Sequence, residues 1–502
     1  MNTNNIKEVL LMMLAGALSV FAFAPFYFFP AMWVSLSLFL ISIFQLHNIR
    51  QATWRSFLYG FGFYLANIHW IYISLHTYGG MQTPLAVLLV CILGGYLALY
   101  PALATYLSFR FFPSQPIRIL IALPAFWTLG EWVRSWLFTG FPWGNIGYSH
   151  IPATPLAGFV PILGIYSVSF FIIFSVALAV WGLYFYKKYF TLTLLSLGCL
   201  WGTGFGLRFI EWTQPQGKPL SVSLVQGNIP QSLKWQPHIL PQTLHTYLEL
   251  VKRSPGELII LPETAIPVFL QNLSPSYIAH FRISTKGHAL IAGIPTLDEM
   301  VDRYYNSAVL VTDPALPVYN KHHLVPFGEY IPLRPLLGWI FNSLNIPLTD
   351  FGRGAARQSP FSVQDQYIAF NICYEDIFGE EIIQALPTAT ILANISNLAW
   401  FDGSVALAQH GQIAQARALE TGRPMLRATN TGLTAMIDHH GQFIARAPIR
   451  EEAILTAFIQ GRQGRTPYGK IGNAGILGLL AVLILLGLTR YKLQSATDKS
   501  VM

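Results

Sequence analysis

"FNICYEDIFGEE", residues 370–381, carries an apolar run onto a lone cysteine and straight into a cluster of carboxylates. The preceding residues, "YIAFNI", are apolar on both faces, as a sheet strand covered on both sides must be. Cys373 therefore stands where a buried strand gives way to a polar turn. A covered sheet predicts a packed α/β domain, yet 53% of the 502 residues are hydrophobic and 11% charged. With a mean hydropathy of +0.45, such a chain is too apolar to be soluble throughout. Part of it belongs in lipid.

The net charge of +8 invites a nucleic-acid reading until its position is examined. Residues 212–468 hold 18 Lys and Arg against 19 Asp and Glu, so the excess lies in the apolar remainder. That is a membrane-topology signal, and no nucleic-acid partner is expected. Apolar runs long enough to cross a hydrocarbon core, about 20 helical residues, lie at about 9–26, 28–46, 56–76, 84–108, 117–137, 156–185, 190–210 and 471–489. Arg50, Arg55, Arg110, Arg118, Lys187, Lys188, Arg490, Lys492 and Lys499 follow alternate runs, and the connections between the others carry no charge. Basic loops stay on the cytoplasmic side. Both termini are thus expected inside and residues 212–468 outside. The opening "NNIKEVLLMMLAGALSVFAFA", residues 4–24, also has the pattern of a signal peptide, but retention is expected because the apolar sequence continues into the next run. The predicted organisation is a membrane domain of about seven spans over 1–211, an external domain over 212–468, and a final span with a cytoplasmic tail over 469–502.

Within the external segment, short β-rich runs recur: "LSVSLVQ", "ELIILP", "HALIAGIP", "NSAVLVTD", "YIAFNIC", "ATILANIS" and "LTAMID". Helix-compatible stretches such as "QTLHTYLELVKR" and "SVALAQHGQIAQARALETG" separate some of them. Stacked sheets sandwiched by helices are the expected architecture.

Cys91 and Cys199 lie in apolar runs and read as small core hydrophobes. Cys373 has no partner cysteine in its own domain, which leaves a buried inert thiol or one kept free for reaction. Two further stretches favour reaction. "IILPETAIP" puts Glu263 just past a strand in a Pro-flanked turn, and "VYNKHHLVPFGEYIP" supplies Lys321 and Glu329. A loop Glu or Lys is ordinarily a solvated side chain. Together these residues offer a general base, a cation for an oxyanion and a thiol, the parts that acyl transfer through a thioester requires.

The motifs "LVQGNIPQSLKW", "LPETAIP", "YNKHHLVPFGEYIP", "NICYEDIF" and "TGFPWGNIGYS" resemble the nitrilase (carbon-nitrogen hydrolase) superfamily, and more closely its membrane branch, the apolipoprotein N-acyltransferases. The resemblance covers nearly the whole chain. It implies an αββα sandwich carrying a Glu-Lys-Cys triad: Glu263 as general base, Cys373 as nucleophile and Lys321 as oxyanion donor. Glu329 matches a second glutamate, and Trp235, Tyr374 and Glu375 match further positions needed for activity. The implied reaction is ping-pong. An acyl chain passes from a phospholipid, expected to be phosphatidylethanolamine, to Cys373, and then to the α-amine of a diacylglyceryl-modified N-terminal cysteine on an apolipoprotein. The resemblance also implies a bacterial inner membrane with the catalytic domain in the periplasm.

The apolar segment "PLRPLLGWIFNSLNIPLTDFGRG", with Trp339 and Phe341, is expected either to pack on the domain or to act as a lid dipping into the outer leaflet. His322-His323 and His439-His440 form no zinc motif and read as surface or loop histidines. No phosphate-binding Gly loop is present, so neither a metal nor a cofactor is expected. Arg134, Arg208 and Glu211 are expected to mark the membrane interface. Two other readings remain at this level: a membrane-anchored amide hydrolase using the same triad, and a transporter or scaffold. The spans hold too few ionisable residues for the transporter.

Overall fold

The computed structural model describes residues 3–332, 335 and 350–500. The described chain divides into two compact units, one of residues 1–72, 83–210 and 471–502, the other of 73–82 and 211–470.

The first unit is helical, with α1 (Thr3–Ala17), α2 (Pro30–Phe44), α3 (Ile49–Ile68), α4 (Thr83–Phe111), α5 (Leu123–Val133), α6 (Ile165–Ala179) and α7 (Phe190–Leu207). Helices α1 and α3 meet backbone to backbone. A Cβ on Gly16 would lie 2.0 Å from the Tyr59 carbonyl oxygen, and one on Gly62 2.0 Å from that of Met13. Small residues permit such contact where lipid supplies no hydrophobic drive between helices. Among the described residues, three helices are long and apolar enough to cross a membrane, Thr83–Phe111, Ile165–Phe185 and Lys187–Leu207, and Pro30–Phe44 and Ala474–Thr489 are shorter apolar helices.

One expectation needs correction. The run at 156–185 is not continuous: Gly164, at φ +75°, interrupts it between Val160–Leu163 and α6. Arg134, expected to mark the membrane interface, is fully buried within the unit. It donates to the carbonyls of Phe141 and Trp143, each at 2.6 Å, and to Asn145 Oδ1, while Glu131 accepts the N–H of Ile146 at 2.8 Å. The chain after α5 folds back through short turns whose polar backbone needs partners inside the unit, and these two side chains supply them.

The second unit holds two six-stranded sheets. Strands β1 (Leu220–Gln226), β2 (Leu258–Ile260), β3 (Ala289–Gly293), β4 (Ser307–Leu310), β5 (Val318–Asn320) and β12 (Ala453–Ile459) form one, in the order β12-β1-β2-β3-β4-β5. Strands β6 (Phe361–Val363), β7 (Gln366–Ile372), β8 (Ile391–Ser396), β9 (Met425–Thr429), β10 (Ala435–Ile437) and β11 (Phe443–Arg446) form the other, in the order β11-β10-β9-β8-β7-β6. Alternation along the strands explains the layering. Val222, Leu224, Ile260, Ile368, Phe370, Ile372, Ala393 and Ile395 interlock between the sheets. Val225, Ile259 and Leu290 point the other way, onto α8 (Leu240–Arg253) and α9 (Pro275–Ser284). Ala369, Leu392 and Met425 do the same beneath α10 (Ala406–Thr421). Both faces are covered, so both are apolar. The order β1-β2-β3 is parallel, as is β7-β8-β9. The carboxyl ends of these strands are where side chains converge. The segment 73–82 counts with this unit, and the Tyr78 ring packs edge-on to Trp400 at 5.5 Å.

Candidate functional site

Strand β7 ends at Ile372, and Cys373 turns the chain with φ +53° into a short 3-10 turn, Cys373–Ile377. A left-handed backbone at a non-glycine residue costs about 1–3 kcal/mol and persists only where its surroundings enforce it. Glu375 enforces it. Its carboxylate accepts the N–H of Ile372 at 2.6 Å, of His322 at 2.6 Å and of His323 at 2.9 Å, and the Tyr319 hydroxyl at 2.9 Å. One side chain thus ties the nucleophile turn to the loop that follows β5.

That loop carries Lys321, buried to 1% exposure and held at its backbone by Asn306 O and Gly354 N. Its Nζ lies 2.9 Å from Glu329 Oε1 and 3.7 Å from Glu263 Oε1. Glu263 sits just beyond β2. Its Oε1 accepts Asn306 Nδ2 at 2.7 Å, and its Oε2 the backbone N–H of Asn397 at 2.7 Å, just past β8. Asn306 Nδ2 also reaches Glu329 Oε1 at 3.0 Å, and Glu329 Oε2 accepts Val325 N at 2.8 Å. The two carboxylates therefore share an amide and an ammonium.

Electrostatics follow from this packing. Burial alone would lower Lys321, but Glu329 and Glu263 outweigh it and keep the ammonium charged well above its ordinary range. Burial pushes the partly buried Cys373 thiol up, Glu263 adds to the rise, and Lys321 pulls it down. A protonated thiol beside a carboxylate and a fixed cation suits attack coupled to proton transfer.

Glu263, Lys321, Glu329, Cys373 and Glu375 thus come together. Tyr374 is buried just behind them, its ring 5.8 Å from His323 and 5.2 Å from Phe378. Trp235 is 56% exposed at the end of a turn in which its neighbour Lys234 is buried and donates to the Glu263 carbonyl at 3.2 Å. Trp339 and Phe341 lie outside the described residues. His322 and His323 do occupy a loop, but His323 is buried, stacked on Phe378 at 3.6 Å and paired with Glu381 at 2.8 Å.

Sequence reasoning missed a second layer. Asp376 Oδ1 accepts His410 Nε2 at 2.6 Å, and its Oδ2 accepts Arg427 Nη1 at 2.5 Å. Arg427 Nη2 donates to His410 Nδ1 at 2.9 Å, which fixes the imidazole as the Nε2–H tautomer. His410 Nε2 and Asn394 Nδ2 also approach the Cys373 carbonyl, at 3.2 and 3.1 Å. Asn306 and Asn397 were missed as well. Their signal is a polar residue at the edge of a buried strand, the same one that marks Glu263.

Family models match both parts of the chain. Residues 15–178 match the apolipoprotein N-acyltransferase N-terminal domain, and residues 221–468 match the carbon-nitrogen hydrolase family. The chain is 46% identical over 484 residues to an apolipoprotein N-acyltransferase of Chromobacterium violaceum, covering 95% of this chain and 93% of that one. It is 46% identical over 479 residues to one of Nitrosomonas europaea, covering 94% and 95%. Among solved structures, a CN-hydrolase superfamily protein of Xanthomonas campestris covers 49% of this chain and 91% of its own, at 18% identity and a TM-score of 0.38.

Proposed function

The chain belongs to the apolipoprotein N-acyltransferase family, and from that premise we propose that Cys373 carries the acyl group between donor and acceptor as a thioester. It is an acyltransferase of the inner membrane that moves a fatty acyl chain from a phospholipid to the α-amino group of an apolipoprotein's diacylglyceryl cysteine. In the first half-reaction the Cys373 thiol gives its proton to Glu263 while Sγ attacks the ester carbonyl carbon. Lys321 Nζ stabilises the oxyanion. The C–O bond then breaks, Glu263 returns the proton to the departing oxygen, and a lysophospholipid leaves. In the second half-reaction the amine nitrogen attacks the thioester and gives its proton to Glu263. The C–S bond breaks and the proton goes back to sulfur. Ester plus amine become alcohol plus amide, with no cofactor consumed.

The observation that carries this reading is the convergence of Lys321 with Glu263 and Glu329 at 3.7 and 2.9 Å beside the Cys373 turn. Glu375 is a positioning residue, since it binds both the Lys321 loop and the nucleophile turn. Trp235, exposed, and Tyr374, buried, are proposed as further residues that the activity needs. Phosphatidylethanolamine is the proposed donor. Eight spans, with residues 1–211 and 469–502 in the membrane and its cytoplasmic flank and residues 212–468 in the periplasm, are supported by the placement of Lys and Arg between the apolar runs.

The test is intact-protein mass spectrometry after mixing the enzyme with phosphatidylethanolamine vesicles and no acceptor. A hydroxylamine-labile acyl adduct mapping to Cys373, absent in Cys373→Ala and Glu263→Gln, is expected. An adduct on another residue would overturn the assignment.

A further inference from the structure

Far along the sequence from this chemistry, three side chains meet that the reaction does not use. Glu211 opens the second unit, and His439 and His440 occupy the tight turn between β10 and β11. In a strand, neighbouring side chains point to opposite faces. Here the turn brings two consecutive imidazoles together. Asp438 Oδ1 accepts the N–H of His440 at 2.9 Å and of Gln442 at 2.8 Å, and Gly441 takes φ +74°. The imidazole centroids lie 3.9 Å apart. His439 Nε2 is 3.1 Å from Glu211 Oε2, and His440 Nε2 is 3.0 Å from Glu211 Oε1. One ligand atom from each residue falls within 4.8 Å of the others.

We propose that Glu211, His439 and His440 form a divalent-cation site of the zinc class, which clips the first residue of the catalytic unit to the β10–β11 turn. Two imidazoles and a carboxylate are the donor set that zinc accepts. A tetrahedral ion with bonds of about 2.0–2.1 Å holds its ligand atoms about 3.3 Å apart; His440 Nε2 lies 3.0 Å from Glu211 Oε1, and the three ligand atoms fall within 4.8 Å of one another. The ion takes both Nε2 atoms and Glu211 Oε1, with water in the fourth position, and the imidazoles bind as Nδ1–H tautomers. Arg462 orients the carboxylate from the other side. Its Nη2 donates to Glu211 Oε2 and to the Thr213 carbonyl, and its Nε to Thr213 Oγ1 at 2.8 Å. This guanidinium fixes Oε2 and leaves Oε1 to the ion, while its charge keeps the affinity moderate.

The experiment uses the full-length enzyme in detergent, free of any histidine tag and stripped with chelator, titrated with zinc chloride by calorimetry. One zinc per chain is expected, together with a zinc-dependent rise in the thermal midpoint. The triple variant Glu211→Gln, His439→Gln, His440→Gln should lose both while acyl transfer stays within about twofold, since none of the three approaches Cys373. Should the triple variant not fold, His440→Ala alone, at a half-exposed position, should weaken zinc binding at least about tenfold. Excess magnesium should leave the zinc in place, because imidazole nitrogen ligates it poorly. Absence of stoichiometric binding, equal binding by the variants, or displacement by magnesium would each overturn the proposal.

Discussion

Two buried charge clusters act on Cys373, and they are built on opposite rules. Behind its carbonyl, Asp376, Arg427 and His410 close a ring of contacts at 2.5–2.9 Å in which each charge meets an opposite partner. In front, a single ammonium serves two carboxylates, and one of them, Glu263, stands 3.7 Å away. The rear cluster pairs its charges, although Arg427 Nε has no hydrogen-bond partner among the described residues. The front cluster carries excess negative charge beside a protonated thiol, with one carboxylate only loosely held by its cation. A matched network fixes a backbone, whereas a mismatched one stores the capacity to move a proton.

The largest effect is expected from Lys321→Met. It removes the ammonium that Glu263 and Glu329 share and leaves the two buried carboxylates facing each other. Formation of acyl-Cys373 should fall by about three orders of magnitude or more, with about 3–5 kcal/mol lost from stability. Asp376→Asn should act the other way round. It strands Arg427 in the interior, at a cost of about 3–5 kcal/mol in denaturant unfolding, yet the folded fraction should acylate within about tenfold of the native rate. If Asp376→Asn abolished acylation while unfolding at the native midpoint, the rear cluster would belong to the chemistry and the contrast would fail.

A smaller effect separates the two charges in front. The thiol is raised by burial and by Glu263, and lowered by Lys321, so its reactive thiolate is scarce at neutral pH and grows as pH rises. Glu263→Gln removes a negative charge and should shift the pH profile of iodoacetamide alkylation to lower pH, with the neutral-pH rate rising several-fold even as acyl transfer is lost. Lys321→Met should shift the same profile to higher pH. An unchanged profile in both variants would place Glu263 and Lys321 too far from sulfur to matter.

The front cluster was far more legible in the sequence than the rear one. Glu263 and Cys373 each follow a buried-type strand, where a polar residue has few structural uses, whereas Lys321 follows the partly exposed strand Val318–Asn320 and is legible through the motif "VYNKHHLVPFGEYIP". Arg427 sits inside strand Met425–Thr429, a stretch outside the β-rich runs read from the sequence. Its partner Asp376 is remote in sequence, and nothing in the local pattern says that a guanidinium can be fully buried there. The same limit applies to the helical unit. Apolar length marked the runs, but Gly164 and the folded-back chain held by Arg134 and Glu131 depend on contacts between segments. The Glu211 and His439-His440 cluster joins residues more than two hundred positions apart, a distance over which no motif operates.

Lys234 decides how sharp the contrast is. It is buried beside the front cluster, its Nζ donates 3.2 Å to the Glu263 carbonyl, and among the described residues no carboxylate lies within ion-pairing distance. Burial lowers it to about 8, with Glu263 opposing that shift. Such a group is mostly charged at neutral pH and loses its charge under mildly alkaline conditions. If it serves the front cluster by holding the Glu263 turn, where Thr264 takes φ +48°, then Lys234→Met should slow acyl-Cys373 formation by about three- to tenfold. The alkaline limb of the pH profile that Lys234 contributes should then disappear. The thermal midpoint should hold or rise, because an apolar side chain of similar length replaces a buried ammonium without an ion-pair partner. A lower midpoint with an unchanged rate would instead make Lys234 part of the scaffold, and excess negative charge around Cys373 would then be confined to Lys321 and its two carboxylates.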